Sequence, residues 1–579
     1  MNHLSGMDAT FLHLESPEMP MHVGSLNVLD LPEGYTGNFY EDAKAMLTAR
    51  RHMATVFTRK LALMPFDLSN PVWVEDEDID MDYHVRHVSL PAPGSNRQLQ
   101  QYVARLHSSL LDRSRPLWEF FIIDGLKSGQ VALYSKVHHS GIDGQAGVAL
   151  GRTIFDLEAT GRKIKPPRPH ARRNQYQLGL AELLGAAVRN TAKQSFQLVK
   201  AIPALARAAR SVLVPAKDEN GKRDWSLPKN VFAPKTSLNV AITNQRTFAG
   251  RTMPLAEVKQ IAKLLGVSLN DVVLATCAGA LRHYFKDNNE LPERSLSAAV
   301  PVSLREAGDG TPNNQVSMVT MTLATDITDP IKRIRAIHIA SNKSKAMMTK
   351  VKSIMAIDLP MPAAPWLISS LASLYGRSRL ANVIPPIANV AISNVPGIPV
   401  QMYFAGAKVV SYYPVSIPGH GMALNITVQS YNGRLDYGLT ACRRALPDVN
   451  ELADLLLAEH RLLLSLALAE AAPALDTPEA VPEVAAVAAP KKKEKATTPK
   501  PAVLAKPSTA KAALAFSPRK AAKTPSTRLK LAAPATASPV QAALAETKAA
   551  LTRAKAPARK RVTTVKTVDN LPAEPAVAA

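Results

Sequence analysis

The stretch Lys136-Val137-His138-His139-Ser140-Gly141-Ile142-Asp143-Gly144-Gln145-Ala146-Gly147 decides how the rest of this chain is read. Val131 to His138 alternates apolar and polar residues in part, the pattern of a half-buried strand. Side chains on a strand alternate in direction, so His138 and His139 point opposite ways. At most one faces a given pocket while the other packs or lends a hydrogen bond. Gly141, Gly144 and Gly147 allow close backbone approach and positive φ. An imidazole held rigidly there, with a fixed tautomer, suits general-base chemistry. Asp143 is placed to orient the loop through an arginine elsewhere, and Arg305 in Val300-Pro-Val-Ser-Leu-Arg305 is the candidate partner. A bare His-His pair is more often polar packing; the full His-His-x-x-x-Asp-Gly spacing favours function. A metal site is not expected, because there is no His-Glu-x-x-His, no nearby cysteine and no close carboxylate besides Asp143.

Outward from this strand the chain interleaves strands and helices. Ser268-Leu269-Asn270-Asp271 opens a helix, with Ser268 as N-cap and an acidic residue three positions on. The apolar run Val272, Val273, Ala275 and Leu281 carries it toward Phe285. Ala423–Ser430 and Arg434–Ala441 flank Asn432-Gly433, a pair suited to the positive φ values of a type I′ hairpin turn. Leu452–Ala472 is broken by Asp454, Glu459, His460 and Arg461 and reads as an amphipathic terminal helix. The fold class is therefore α/β or α+β. Four regions are expected: 1–165, a helical linker at 166–235, 236–470, and a tail at 471–579.

Composition bounds what such a chain does. It has 579 residues, 70 basic and 47 acidic, a formal net charge of +23, and 46% hydrophobic residues, too few for a polytopic membrane protein. Cys277 and Cys442 are the only cysteines, which excludes a disulfide framework and a thiolate zinc site. The N-terminus shows no secretory pattern, and no apolar run reaches the roughly 18 residues of a membrane span. The tail holds 19 Lys/Arg against 7 Asp/Glu, with 14 prolines and one aromatic residue, so more than half of the excess charge sits there. It cannot bury enough surface to offset its ordering entropy and is expected to be disordered.

The motif His138-His139-x-x-x-Asp143-Gly144 resembles that of the CoA-dependent acyltransferase superfamily, which includes peptide-synthetase condensation domains. Further segments narrow the resemblance to the bacterial wax ester synthase/diacylglycerol acyltransferase family. They are Leu4-Ser-Gly-Met-Asp8, Pro20-Met-His-Val-Gly24, Pro116-Leu-Trp118, Ser268-Leu-Asn-Asp271, Pro301-Val-Ser-Leu-Arg305 and Ser393-Asn-Val-Pro-Gly397. They run in the expected order over about residues 1–465. Pro312-Asn-Asn-Gln315 departs from the pattern, which has Gly-Asn before Gln-Val.

The resemblance implies a two-domain, chloramphenicol acetyltransferase-like fold with a tunnel at the cleft. It implies acyl transfer from a fatty acyl-CoA to diacylglycerol or a long-chain alcohol, with acyl-CoA as substrate and no cofactor. His139 is then the base and His138 its neighbour in the motif. Asn270 is the polar helper, which the unpaired N–H groups of a helix first turn support. Asp143 completes the catalytic set. Gly144, Arg305 and Asp271 are supporting residues, and Trp118, Asn394 and Gly397 are expected near the substrate channel. Trp118 also reads as a core residue, and His22 as a packing histidine.

Other readings are a condensation-type transferase using a carrier-protein thioester, or a non-catalytic lipid-granule or nucleoid-tethering protein acting through its tail. Residues 178–214 form a basic amphipathic pattern, and 359–375 an apolar one around Trp366; either suits a lipid interface or plain packing. The expected location is cytoplasmic, peripheral to the inner face of the plasma membrane and to lipid inclusions. Lys491-Lys-Lys493 and Arg559-Lys-Arg561 suit anionic lipid, nucleic acid or another polyanion.

Overall fold

The computed structural model describes residues 2–4, 6–62, 70–142, 144–166, 232–303, 316–355 and 382–475. Asp143, Arg305, the departure at 312–315, the patterns at 178–214 and 359–375, and all but the first residues of the tail lie outside these.

The first part contains β1 (Asn2–His3), α1 (Gly6–Leu14), β2 (His22–Asp30), α2 (Phe39–Arg50), β3 (Arg59–Ala62) and β4 (Val72–Glu75). Next come α3 (Met81–His84), β5 (Val85–Ser89), α4 (Asn96–His107), β6 (Trp118–Asp124), β7 (Val131–His138) and α5 (Gly144–Ile154). The second part runs β8 (Arg246–Pro254), α6 (Leu255–Leu265), α7 (Leu269–Asp287), β9 (Ser297–Ser303), β10 (Val316–Thr322) and α8 (Pro330–Met355). It continues with β11 (Val390–Val395), β12 (Tyr403–Phe404), β13 (Ala407–Val415), β14 (Leu424–Tyr431), β15 (Arg434–Cys442) and α9 (Val449–Leu475).

Two mixed six-stranded sheets dominate, in the orders β12-β13-β2-β7-β6-β5 and β10-β9-β11-β14-β15-β8, beside a small β1-β4-β3 sheet. The interleaved α/β architecture matches the expected fold class. The hairpin forms where Asn432-Gly433 stands: Tyr431 pairs with Arg434 and the two turn residues have φ of 41° and 77°. Strand β7 covers the eight residues whose alternation announced it. The terminal helix α9 buries Leu452, Leu456, Leu463 and Ala467 along one face.

One feature is not local. Strands β12 and β13 come from the second part of the chain, yet β13 pairs with β2 in the first sheet. It also presses onto the second sheet, where Gly438 and Gly250 stand opposite each other on β15 and β8. A Cβ at Gly438 would lie 1.7 Å from the Pro414 carbonyl oxygen, and one at Gly250 would lie 2.8 Å from the Tyr413 ring. Only glycine permits this approach. Buried Asp436 locks the junction, accepting hydrogen bonds from the Tyr412 N–H at 2.7 Å and the Thr252 hydroxyl at 2.6 Å.

Helix α7 is the core of the second part. Ser268 caps it, and the Ser268 and Asp271 side chains exchange bonds with each other's backbone N–H at 3.2 and 2.9 Å, a reciprocal capping box. Val272, Val273, Leu274, Cys277, Leu281 and Phe285 are all buried. Each large apolar side chain so buried contributes ~1.5–3 kcal/mol. Among the described residues no single helix is long and apolar enough to cross a membrane. Helices α6 and α7 qualify together by composition, but they bend by 101°.

Candidate active site

Strand β7 delivers the histidine pair. Its last residue, His138, lies opposite His22 on β2, and the next N–H, that of His139, bonds the Met21 carbonyl at 2.8 Å. The chain then tightens into a single 3-10 turn, His139–Gly141. His138 caps that turn: its Nδ1 accepts the Ser140 N–H at 3.1 Å and lies 2.7 Å from the Ser140 hydroxyl. An accepting Nδ1 puts the ring proton on Nε2. That atom is buried 3.3 Å from Glu15 Oε1, an ion-pair distance at the long end for a hydrogen bond.

Glu15 is itself 3% exposed. Its Oε1 accepts the Met21 N–H at 3.0 Å, and its Oε2 takes Arg113 Nε and Nη2 at 3.1 and 2.8 Å. Burial alone would push this carboxyl up. His138, Arg113 and the Met21 N–H together outweigh it and hold the pKa at about 2.

His139 is half-buried and lies flat on Phe11, with ring centroids 4.0 Å apart and planes 17° from parallel. Its Nδ1 is buried with no hydrogen-bond partner among the described residues. Burial, with a smaller push from His138, lowers the ring's pKa to about 4. At neutral pH the imidazole is uncharged and keeps its lone pair. Strand alternation does not extend to His139, which lies in the 3-10 turn; the two rings differ in burial, His138 being wholly enclosed and His139 partly exposed.

Beneath the pair runs a buried polar layer. His22 Nε2 donates to the His107 carbonyl at 2.9 Å, the role of a packing histidine. His107 bonds the Ser416 carbonyl at 2.9 Å and the Tyr134 hydroxyl at 2.8 Å. Burial lowers both histidines' pKa values, His107 to about 3. Lys136 Nζ pairs with Glu119 at 3.0 Å and donates to the Ser109 carbonyl at 2.9 Å.

The second cluster stands at the start of α7. Asn394 on β11 donates its Nδ2 to Asn270 Oδ1 at 3.3 Å, and among the described residues no acceptor takes the Asn270 amide N–H groups. The neighbouring Asp271 is fully buried and receives His338 Nδ1 at 2.7 Å, so its part is to hold the helix end. No hydrogen bond among the described residues joins Asn270 or Asn394 to the histidine pair.

The structure bears on three readings and overturns one of them, the positive φ of Gly141 and Gly147. Trp118, expected near the substrate channel, is 1% exposed; its indole N–H donates to the Phe57 carbonyl at 3.2 Å and its ring stacks on His84. It is core. Gly141 and Gly147 adopt helical backbone and not positive φ; what they supply is room, since a Cβ would meet Val56 at 3.2 Å or Ile142 at 3.3 Å. Gly397 has a packing reason for being glycine, because a Cβ there would lie 2.0 Å from the Ser430 carbonyl. Gly144 starts α5, and Asn394 is half-buried at the end of β11. Sequence reading passed over Phe11, Glu15, Arg113 and Ser140. The only available signal was the four-residue spacing of Phe11 and Glu15; Arg113 is 98 positions from Glu15.

Comparison with known proteins bears on this arrangement. The wax ester synthase/diacylglycerol acyltransferase catalytic domain matches residues 4–273, and the WS/DGAT C-terminal domain matches residues 313–463. A Mycobacterium tuberculosis protein named as a diacylglycerol O-acyltransferase is 39% identical over 449 residues, covering 77% of this chain and 96% of its own length. O-acyltransferase WSD of Acinetobacter baylyi is 33% identical over 465 residues, covering 78% and 94%. The solved wax ester synthase/diacylglycerol acyltransferase of Marinobacter aquaeolei superposes with a TM-score of 0.57 at 32% identity, covering 80% of this chain and 99% of that one. With its motif histidines at the end of β7 and both domain types matched in order, the chain belongs to the wax ester synthase/diacylglycerol acyltransferase family.

Proposed function

We propose that this O-acyltransferase moves a long-chain fatty acyl group from acyl-CoA to the hydroxyl of diacylglycerol or of a long-chain alcohol, with His139 as general base. The observation that carries the reading is the His139 ring itself, uncharged and held flat at a partly open surface. As the acceptor oxygen attacks the thioester carbonyl, its proton passes to His139. Because the ring is a weak base in this environment, proton transfer accompanies bond formation and does not precede it. An Asn270 amide N–H is suited to stabilise the tetrahedral oxyanion, a contribution typically worth ~2.7–4 kcal/mol. The imidazolium then returns the proton to the departing CoA thiolate as the carbon–sulfur bond breaks. No covalent acyl-enzyme and no cofactor enter these steps. Asp143 and Arg305 are assigned to support of the motif loop.

The test is turnover of palmitoyl-CoA with diolein or hexadecanol, followed by thiol release and by neutral-lipid product. His139→Ala is expected to abolish product while leaving the thermal unfolding profile unchanged. Retained activity removes His139 from the mechanism.

A water-insoluble acceptor has to be taken from a lipid surface, so the reading includes peripheral contact with a membrane or lipid inclusion on the cytoplasmic side. The tail's net +12 suits anionic headgroups or another polyanion by counterion release. A chain ending at Leu475 is expected to keep its turnover and lose sedimentation with anionic vesicles; unchanged sedimentation retires the role of the tail.

A further inference from the structure

We propose that Phe11 and Glu15 form a clamp that positions the histidine pair, Phe11 setting the plane of the His139 ring and Glu15 anchoring His138 and the turn behind it. The inference rests on His139 being the base. Neither residue touches reacting atoms in this scheme; both are positioning residues.

The spacing is what allows one segment to reach both rings. Phe11 lies on α1 and Glu15 directly follows its last residue, so four positions separate the two contacts in sequence. Phe11 covers one face of the His139 ring. With that face blocked, rotation of the ring about its Cβ–Cγ bond would drive it into the benzene ring, so the orientation of the lone pair is defined. Glu15 reaches His138 directly at 3.3 Å. It also reaches His139 through the backbone of one residue: its Oε1 accepts the Met21 N–H, and the Met21 carbonyl accepts the His139 N–H. A single carboxylate thus ties down both residues of the motif, one by side chain and one by backbone.

Arg113 makes the carboxylate tolerable in so enclosed a place. A buried carboxylate is costly unless paired and hydrogen-bonded. Arg113 supplies two bonds to Oε2, and its Nη2 also donates to the Leu12 carbonyl at 2.8 Å, which fastens the guanidinium to the end of α1. Rotation of His138 would also release Ser140, whose N–H and hydroxyl meet its Nδ1. The clamp therefore acts on the whole turn His139–Gly141.

Misplacing a catalytic group by about 1 Å can cost on the order of 10²-fold in rate. Phe11→Leu keeps an apolar side chain but removes the flat face; kcat is expected to fall about tenfold, with KM for acyl-CoA little changed. Phe11→Tyr keeps the plane and is expected to restore near wild-type kcat. Glu15→Gln keeps the shape and an acceptor for Met21 but loses the charge facing His138 and Arg113, and an intermediate loss of kcat is expected. Glu15→Gln removes the charge paired with Arg113 and is expected to lower the unfolding midpoint, so kcat is compared at a temperature where unfolding curves show all three variants fully folded. Phe11→Leu and Glu15→Gln with kcat within about twofold of wild type, or a loss confined to KM, overturn the clamp. His139→Ala is the control that separates the two ideas: an active His139→Ala enzyme defeats the base assignment. An inactive one beside fully active clamp variants defeats only the clamp.

Discussion

Replacing Asp271 with alanine should cost far more than replacing Ser268, although the two residues are halves of one capping box. The Ser268 hydroxyl accepts one backbone N–H at 3.2 Å from a half-buried position that water can reach. Losing such a cap costs ~1 kcal/mol. Asp271 is fully buried, and its Oδ2 receives both the Ser268 N–H at 2.9 Å and His338 Nδ1 at 2.7 Å. Hydrogen bonds to a charged acceptor are worth ~1.5–3 kcal/mol each, so their gross loss is about 3–6 kcal/mol. The alanine variant is spared the cost of burying a carboxylate, which brings the net to about 3 kcal/mol. The two donors left behind, the Ser268 N–H and His338 Nδ1, are half-buried, so water recovers part of their loss. Urea unfolding of the full chain measures both variants. Asp271→Ala should shift the midpoint about three times as far as Ser268→Ala, with kcat reduced because Asn270 sits in the turn that loosens. Equal shifts, or an Asp271→Ala loss below about 1 kcal/mol, would refute the claim that this carboxylate holds the helix end.

Gly438→Ala places a methyl 1.7 Å from a backbone oxygen that has no side chain to swing aside, so β13 has to lift off β15. The variant should lose ~3 kcal/mol or more, above the ordinary range for overpacking, and an unfolding midpoint equal to wild type would show that the sheets do not approach this closely. Acid should destabilise the protein early. His22, His107 and His139 all have folded pKa values below the unfolded 6.5, so the folded state binds fewer protons. Their contribution is complete above about pH 6.5 and is lost as pH falls toward 4 and then 3. Glu15, held near 2, loses its contribution only below 4.5, and buried Asp436, shifted upward, acts in the opposite direction. A melting temperature that stays level from pH 7 to 4.5 would contradict the burial of those histidines.

What could be read before any coordinates was whatever the chain encodes over a few residues. The alternation of Val131–His138, the Ser268–Asp271 spacing, Asn432-Gly433 and the apolar face of α9 each report a local backbone preference, and each element formed where it was read. The histidine motif belongs with these, since its spacing lies within one strand end and one turn. The sequence by itself therefore determined the element types, the α/β class, the family and the residue proposed as base. Tertiary structure alone decided which groups surround that base. The approach of Glu15 to His138, the stacking of Phe11 on His139, the Asn270–Asn394 bond across 124 positions and the passage of β13 into the first sheet all join distant parts of the chain. Local periodicity carries no record of such meetings. They depend on how sheets and helices pack, and packing is settled by the shape of everything around them.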